Sequence, residues 1–245
     1  MRRVVAIGVG LCAAALVALS TANAQRIYDT IWAAGGPPAT DLPGLTFTGS
    51  LPRYNMGDGI GVSLPHAVEL TRFDFVLVIA AAVTNASVQF TVEIFNDWTT
   101  TGAPTDPAFF NPAGSFSGVV TGITTTAATA FIVTATPPPG IVLNTNPNKG
   151  VVIRLLLNGV ADNNATVGIV NRLPNPGTEG LLPDAFYRDV NGDGIIQINE
   201  ARTFGAPRAQ DNLAITLWVP EPASVIALGS GLVGLLALRR RRQRV

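Results

Sequence analysis

The sequence predicts an all-β protein, an antiparallel two-sheet sandwich of jelly-roll type, carried between an N-terminal signal helix and a C-terminal transmembrane helix. Three observations predict it. Several runs alternate apolar and polar residues with a period of two, which is the signature of half-buried strands. Clusters of Pro, Asn, Asp and Gly separate these runs at short intervals. Between the two terminal segments no stretch carries the 3.6-residue apolar period of a long amphipathic helix.

The chain opens with Arg2 and Arg3, an apolar stretch from Val4 to Leu19, and then Ala22-Asn23-Ala24. A cationic start, a short apolar stretch and small residues before the cut are the parts of a secretory signal peptide, so residues 1–24 are expected to be removed before Gln25. Cys12 lies in this stretch, and no other cysteine follows. Disulfides therefore cannot staple the mature chain, and burial has to stabilise it.

Residues 25–219 read as one extracellular domain, long enough to bury a core. In 67–79, Phe73, Phe75, Leu77 and Ile79 share one face, with Arg72 and Asp74 on the other. In 86–95, Val88, Phe90, Val92 and Ile94 alternate with Gln89, Thr91 and Glu93. Residues 151–157 are apolar on both faces except at Arg154, the pattern of a central strand. Further strands are expected at 128–135, 165–170 and 212–218, the last with Leu213, Ile215 and Leu217 inward, and weaker ones at 45–49, 59–64 and 116–121. Asn85 is expected to turn the chain between the first two of these runs. Pro137-Pro138-Pro139-Gly140, Asn146-Pro147-Asn148-Lys149-Gly150 and Asp162-Asn163-Asn164 are turn sequences. Two stretches, 96–115 and 171–211, read as long loops, a length usually associated with function.

The second loop holds the clearest chemical motif. Asp189-Val190-Asn191-Gly192-Asp193-Gly194-Ile195-Ile196-Gln197-Ile198-Asn199-Glu200 fits the twelve-residue EF-hand calcium loop at its defining positions. Asp189, Asn191 and Asp193 supply side-chain oxygens from alternate positions, and Gly194 allows the sharp turn. Ile195 supplies its carbonyl, Gln197 binds directly or through water, and Glu200 closes the site with two oxygens. Hard oxygen ligands at variable distance suit Ca²⁺ better than Mg²⁺. The flanks differ from an EF-hand: Leu182 to Arg188 allow at most a short helical turn, and Gly205 and Pro207 stop the exit. The motif resembles a calcium loop set into a β domain, similar to those of dockerins. Dockerins carry such loops in pairs, and the second is missing here.

At the C-terminus Pro220-Glu221-Pro222 precedes an apolar run of sixteen residues, Ala223 to Leu238, and then Arg239 to Arg242 and Arg244. An apolar segment closed by arginines is a membrane anchor with its basic end in the cytoplasm. Long arginine side chains compensate for its shortness. The order of the three parts in 220–245 resembles the PEP-CTERM sorting tail of Gram-negative bacteria that make exopolysaccharide. That resemblance implies export, an exosortase as partner, membrane insertion of the tail at least transiently, and a final place in the cell envelope, at the surface or in the extracellular matrix.

The overall net charge of zero hides an asymmetry. Seven of the sixteen basic residues and one of the sixteen acidic residues fall in the terminal segments, leaving nine against fifteen, a net charge of −6. Nothing in that balance favours nucleic acid. Lys149 is the only lysine. Catalysis has little support: His66 is the only histidine, and no nucleophile elbow or nucleotide loop occurs. Asp58, Asp97, Asp106 and Glu179 have the residue type a glycosidase needs, but nothing in the sequence pairs them. Trp98, Phe109 and Phe110 are candidates for stacking on sugars, as are Tyr54 and Trp32. The reading is a non-enzymatic structural or adhesive protein that binds calcium and offers aromatics to exopolysaccharide. The competing class is a polysaccharide-active glycosidase or lyase.

Overall fold

The computed structural model describes residues 24–31, 53–98, 111–159, 167–169, 171–172, 185–188, 201–203 and 212–221. The strands run in order as β1 (Ala24–Asp29), β2 (Arg53–Gly61), β3 (Val68–Glu69), β4 (Arg72–Ile79), β5 (Val83–Phe95), β6 (Pro112–Thr125), β7 (Thr129–Ala135) and β8 (Val142–Leu143). They continue as β9 (Asn148–Asn158), β10 (Val167–Ile169), β11 (Asn171–Arg172), β12 (Ala185–Arg188), β13 (Ala201–Thr203), β14 (Asn212–Leu213) and β15 (Ile215–Pro220). Among the described residues there is no helix, and the all-β expectation holds. The expected signal helix, transmembrane helix and strand 45–49 lie outside the described residues.

Two sheets carry the fold. The larger has the order β13-β12-β2-β9-β5-β6, and its pairings are antiparallel. In the smaller, β4 is central: β15 and β10 share one of its edges and β7 takes the other, while β1 lies beyond β15. The pairs β11-β14 and β3-β8 complete the architecture.

Alternation fixes which side chains meet. Phe73, Phe75, Leu77 and Ile79 from β4 join one cluster with Val88, Phe90, Val92 and Ile94 from β5, Val151, Ile153, Leu155 and Leu157 from β9, and Ile215 and Leu217 from β15. The inward faces of both sheets therefore share a single core. Its rings pack edge-on, with Phe75 against Phe90 at 5.3 Å and Phe73 against Phe116 at 5.7 Å. Gly118 lies opposite Phe90 in register, and the ring covers the place where a Cβ would stand.

β9 is apolar on both faces because both are covered. Val152 packs on the outer face with Phe95, Trp98 and Tyr187. Arg154, the exception in its sequence, pairs with Glu93 across the sheet at 2.6 Å. The outer face of β4 is closed likewise: Val76 and Val78 pack with Ile31 and Ala214.

Several expectations need correction. Asn85 does not turn the chain between strands. It lies inside β5 with a φ of 52°, where the pairing with β6 shifts register. This left-handed bulge is a conformation Asn tolerates. Residues 171–211 are not one loop, since β11, β12 and β13 fall within them. Ala185–Arg188 is a strand rather than a turn of helix, because β2 offers it a free edge. Residues Ala24–Asp29 were not expected to form a strand. They are tied in place by Thr30, whose hydroxyl donates to the Leu213 carbonyl at 2.7 Å and accepts the Ile215 N–H at 2.9 Å.

Candidate functional site

The calcium motif sits between β12 and β13. These strands are antiparallel neighbours, with Tyr187 opposite Ala201 and Phe186 opposite Arg202. Residues 189–200 are the sequence between the two strands. Tyr187 anchors the entering strand: it is buried and meets Trp98 edge-on at 5.5 Å. The ligand candidates Asp189, Asn191, Asp193, Ile195, Gln197 and Glu200 themselves lie outside the described residues. Among the described residues no three His, Cys, Asp or Glu side chains gather into a metal-sized group.

The aromatic candidates separate. Trp98 is fully buried. Its ring lies where a Cβ on Gly150 would stand, and Phe95 flanks it at 5.8 Å. The physical reason is local: β9 presents only a glycine hydrogen at this point, and the indole fills the space. A ring packed in this way has no free face for a pyranose, so the stacking role expected for Trp98 is replaced by a packing role. Phe109, Phe110 and Trp32 lie outside the described residues, as does the side chain of Tyr54.

Of the catalytic candidates, His66, Asp58 and Asp97 lie within the described residues. His66 is exposed. Asp58 is buried and accepts the Leu213 N–H at 3.1 Å, which makes it a strand tie. Asp106 and Glu179 lie outside the described residues.

Two buried polar centres escaped the sequence reading. Asp74 is fully buried on the outer face of β4. Its Oδ1 accepts from Arg72 Nε at 2.9 Å and Thr134 Oγ1 at 2.7 Å, and its Oδ2 accepts from Trp218 Nε1 at 2.7 Å. The guanidinium of Arg72 also stacks 4.7 Å above the Trp218 ring. The second centre is Lys149, fully buried at the start of β9. Its Nζ donates to Asn144 Oδ1 at 2.9 Å and to the Asn146 carbonyl oxygen. Burial holds this amine below the ordinary lysine value, and the nearby charge of Asp97 offsets part of that shift.

The last described residues, Pro220 and Glu221, lead into the expected sorting segment. Residues 219–242 match the PEP-CTERM protein-sorting motif. The match takes in Pro220, Glu221, Pro222, the apolar run and Arg239 to Arg242. It supports a PEP-CTERM protein and implies export, processing by exosortase at the membrane, and a place in the cell envelope or at the surface. Among the described residues no helix is long and apolar enough to cross a membrane, and 222–245 lie outside them.

No curated protein matches the chain. Two solved structures are distantly similar. One is the clostridial cysteine protease Cwp84 after propeptide cleavage, at 12% identity and a TM-score of 0.36 over 70% of this chain and 36% of that one. The other holds the cysteine protease and lectin-like domains of Cwp84, a surface layer associated protein of Clostridium difficile, at 11% identity and a TM-score of 0.36 over 70% and 32%. The chain thus spans about a third of the length of these proteins. A likeness this distant carries no inference about function.

Proposed function

We propose that this is a non-catalytic structural or adhesive protein of the cell surface or extracellular matrix, built as a two-sheet sandwich and stabilised by one calcium ion at residues 189–200. The sorting motif at 219–242 supports the destination. The shared core of the two sheets supports the sandwich. The observation that carries the calcium reading is the coincidence of motif and topology. The twelve residues with calcium-loop spacing are the twelve between Arg188 and Ala201, which bound neighbouring strands. Opposed residues in such a pair stand roughly 5 Å apart, a spacing that suits a connection whose two ends share an ion. Asp189 and Glu200 stand at those ends, and a calcium loop needs its first and last ligands on one ion.

In this reading the ion has a structural task. Asp189, Asp193 and Glu200 place three negative charges in one short connection, and a divalent cation offsets their repulsion. Exopolysaccharide remains the proposed partner at the surface. Aromatic contacts to it would have to come from rings other than Trp98, with Phe109 and Phe110 the remaining candidates.

The test is thermal unfolding of the purified chain with and without millimolar Ca²⁺. Binding to the folded form should add about 1.4 kcal/mol at tenfold the dissociation constant, with a smaller effect of Mg²⁺. Asp189→Ala combined with Glu200→Ala should abolish the shift and leave the strand spectrum intact. An unchanged melting temperature for the wild-type chain at saturating Ca²⁺, with no heat of binding, would refute the calcium assignment.

A further inference from the structure

We propose that Lys149 and Asn144 become joined by an intramolecular isopeptide bond, which the protein forms on itself once folded. Nucleophile and electrophile meet in the turn that leads into β9.

The nucleophile is unusual in this chain. Lys149 is the only lysine beside fifteen arginines, and it is fully buried. It stands opposite Ile60, a core residue, so its side chain starts from the inner face of the sheet. A position needing only a cation suits arginine as well, but a guanidinium does not give up its proton in proteins and an amine does. Among the described residues no carboxylate closes an ion pair with Lys149. Burial holds its amine below the ordinary lysine value, a shift toward the nucleophilic form.

The electrophile is held and polarised. The Asn144 side-chain carbonyl accepts Lys149 Nζ at 2.9 Å and the Asn146 N–H at 3.0 Å. Its backbone is fixed by Asn96, whose Oδ1 accepts the Asn144 N–H at 2.8 Å and whose Nδ2 donates to the Val142 carbonyl at 2.8 Å. A preoriented N–H aimed at a carbonyl oxygen stabilises negative charge that develops there. In this proposal proton transfer falls to Asp97, which follows Asn96 in the chain and whose charge acts on the amine.

The step balances without an oxidant or cofactor. The Nζ lone pair attacks Asn144 Cγ and a C–N bond forms, with the negative charge on Oδ1 held by the Asn146 N–H. The Cγ–Nδ2 bond then breaks. One proton passes from Nζ to the departing nitrogen, relayed by Asp97, and ammonia leaves. The product is a secondary amide. It replaces a buried amine by a neutral group and locks the turn to the first residues of β9.

The sequence makes the test clean. Between Arg72 and Arg154 the only trypsin site is Lys149, followed by Gly150. Trypsin does not cut after an acylated lysine. The purified full chain, unfolded in denaturant and digested, should yield peptide 73–154 uncut and lighter by one ammonia than its sequence. Tandem mass spectrometry should place the link between residues 144 and 149. Cleavage after Lys149, giving peptides 73–149 and 150–154 at full mass, overturns the proposal. In Lys149→Arg, cutting at 149 and the full mass should both return, and in Asn144→Ala cutting after Lys149 should return. Loss of ammonia that persists in Lys149→Arg would mark a cyclised asparagine elsewhere in the peptide and also overturns it. Because the wild-type digest decides by itself, a variant that fails to fold leaves the test intact.

Discussion

Asp74 and Lys149 are both shut away from water, yet the fold treats them differently. Asp74 receives three donors from β4, β7 and β15, and one of them, Arg72, carries the opposite charge. Among the described residues Lys149 donates to the oxygens of the turn that precedes it. Burying a charge is costly unless it is paired and fully hydrogen-bonded. Complete compensation makes Asp74 a structural rivet across three strands. Partial compensation leaves the Lys149 amine below the ordinary lysine value, and its Nζ faces a carbonyl rather than a counter-charge. The difference lies in the surroundings.

The largest effect should come from the compensated site. Asp74→Ala leaves Arg72, Thr134 and the Trp218 indole without their acceptor and should cost roughly 3 kcal/mol. Asp74→Asn, which keeps one acceptor, should cost less. Midpoints of urea unfolding would report both. A cost of less than about 1 kcal/mol for the alanine would mean that water satisfies those donors, and the contrast with Lys149 would collapse.

A smaller effect concerns the other side of β9, one residue from Lys149. A Cβ on Gly150 would stand 1.9 Å from the Trp98 ring. Gly150→Ala should therefore cost about 1–3 kcal/mol by overpacking. Combining it with Trp98→Leu should recover part of that loss, because the two positions share one space. If Gly150→Ala is neutral, the indole moves aside easily, and a sugar-facing role for Trp98 becomes tenable again.

The same contrast explains what was legible in the sequence. Strands β4, β5, β9 and β15 were readable because one buried face imposes alternation, and β9 was recognisable as central because both of its faces are covered. The calcium motif is a local pattern of ligand spacing, and its residues lie outside the described ones. What could not be read depends on partners far apart in the chain. Trp98 is buried because Gly150 lies beneath it, and Asp74 is satisfied by Thr134 and Trp218. No local pattern signals either. β1 went unseen because its pairing partner, β15, lies at the other end of the domain. β12 and β13 were hidden in a stretch whose polarity reads as loop, and only the free edge of β2 makes a strand of Ala185–Arg188. Lys149 did carry a signal, its status as the only lysine, but its burial depends on the turn that folds back over it.

The smallest effect tests a third kind of buried group, one that the fold leaves uncompensated. Tyr28 is 3% exposed, and among the described residues its hydroxyl has no hydrogen-bond partner. Burial, with the Asp58 charge adding to it, holds the phenol well above its ordinary value. Tyr28→Phe removes an unsatisfied polar atom and should stabilise the fold by about 1 kcal/mol near neutral pH. The sign of its pH dependence follows from the raised value. Below about pH 10 the phenol is protonated in both states. Above that the unfolded chain releases the proton while the folded one keeps it, so stability falls as pH rises toward the folded value. Tyr28→Phe should remove that part of the fall. A free Lys149 amine works the other way: its lowered value makes stability rise with pH up to the ordinary lysine range, and an isopeptide bond would abolish that rise. Alkaline unfolding of Tyr28→Phe with and without Lys149→Met therefore separates the two groups. If Tyr28→Phe destabilises the protein and leaves the alkaline slope unchanged, the hydroxyl has a partner in solution, and the division of buried groups into compensated and uncompensated fails at this residue.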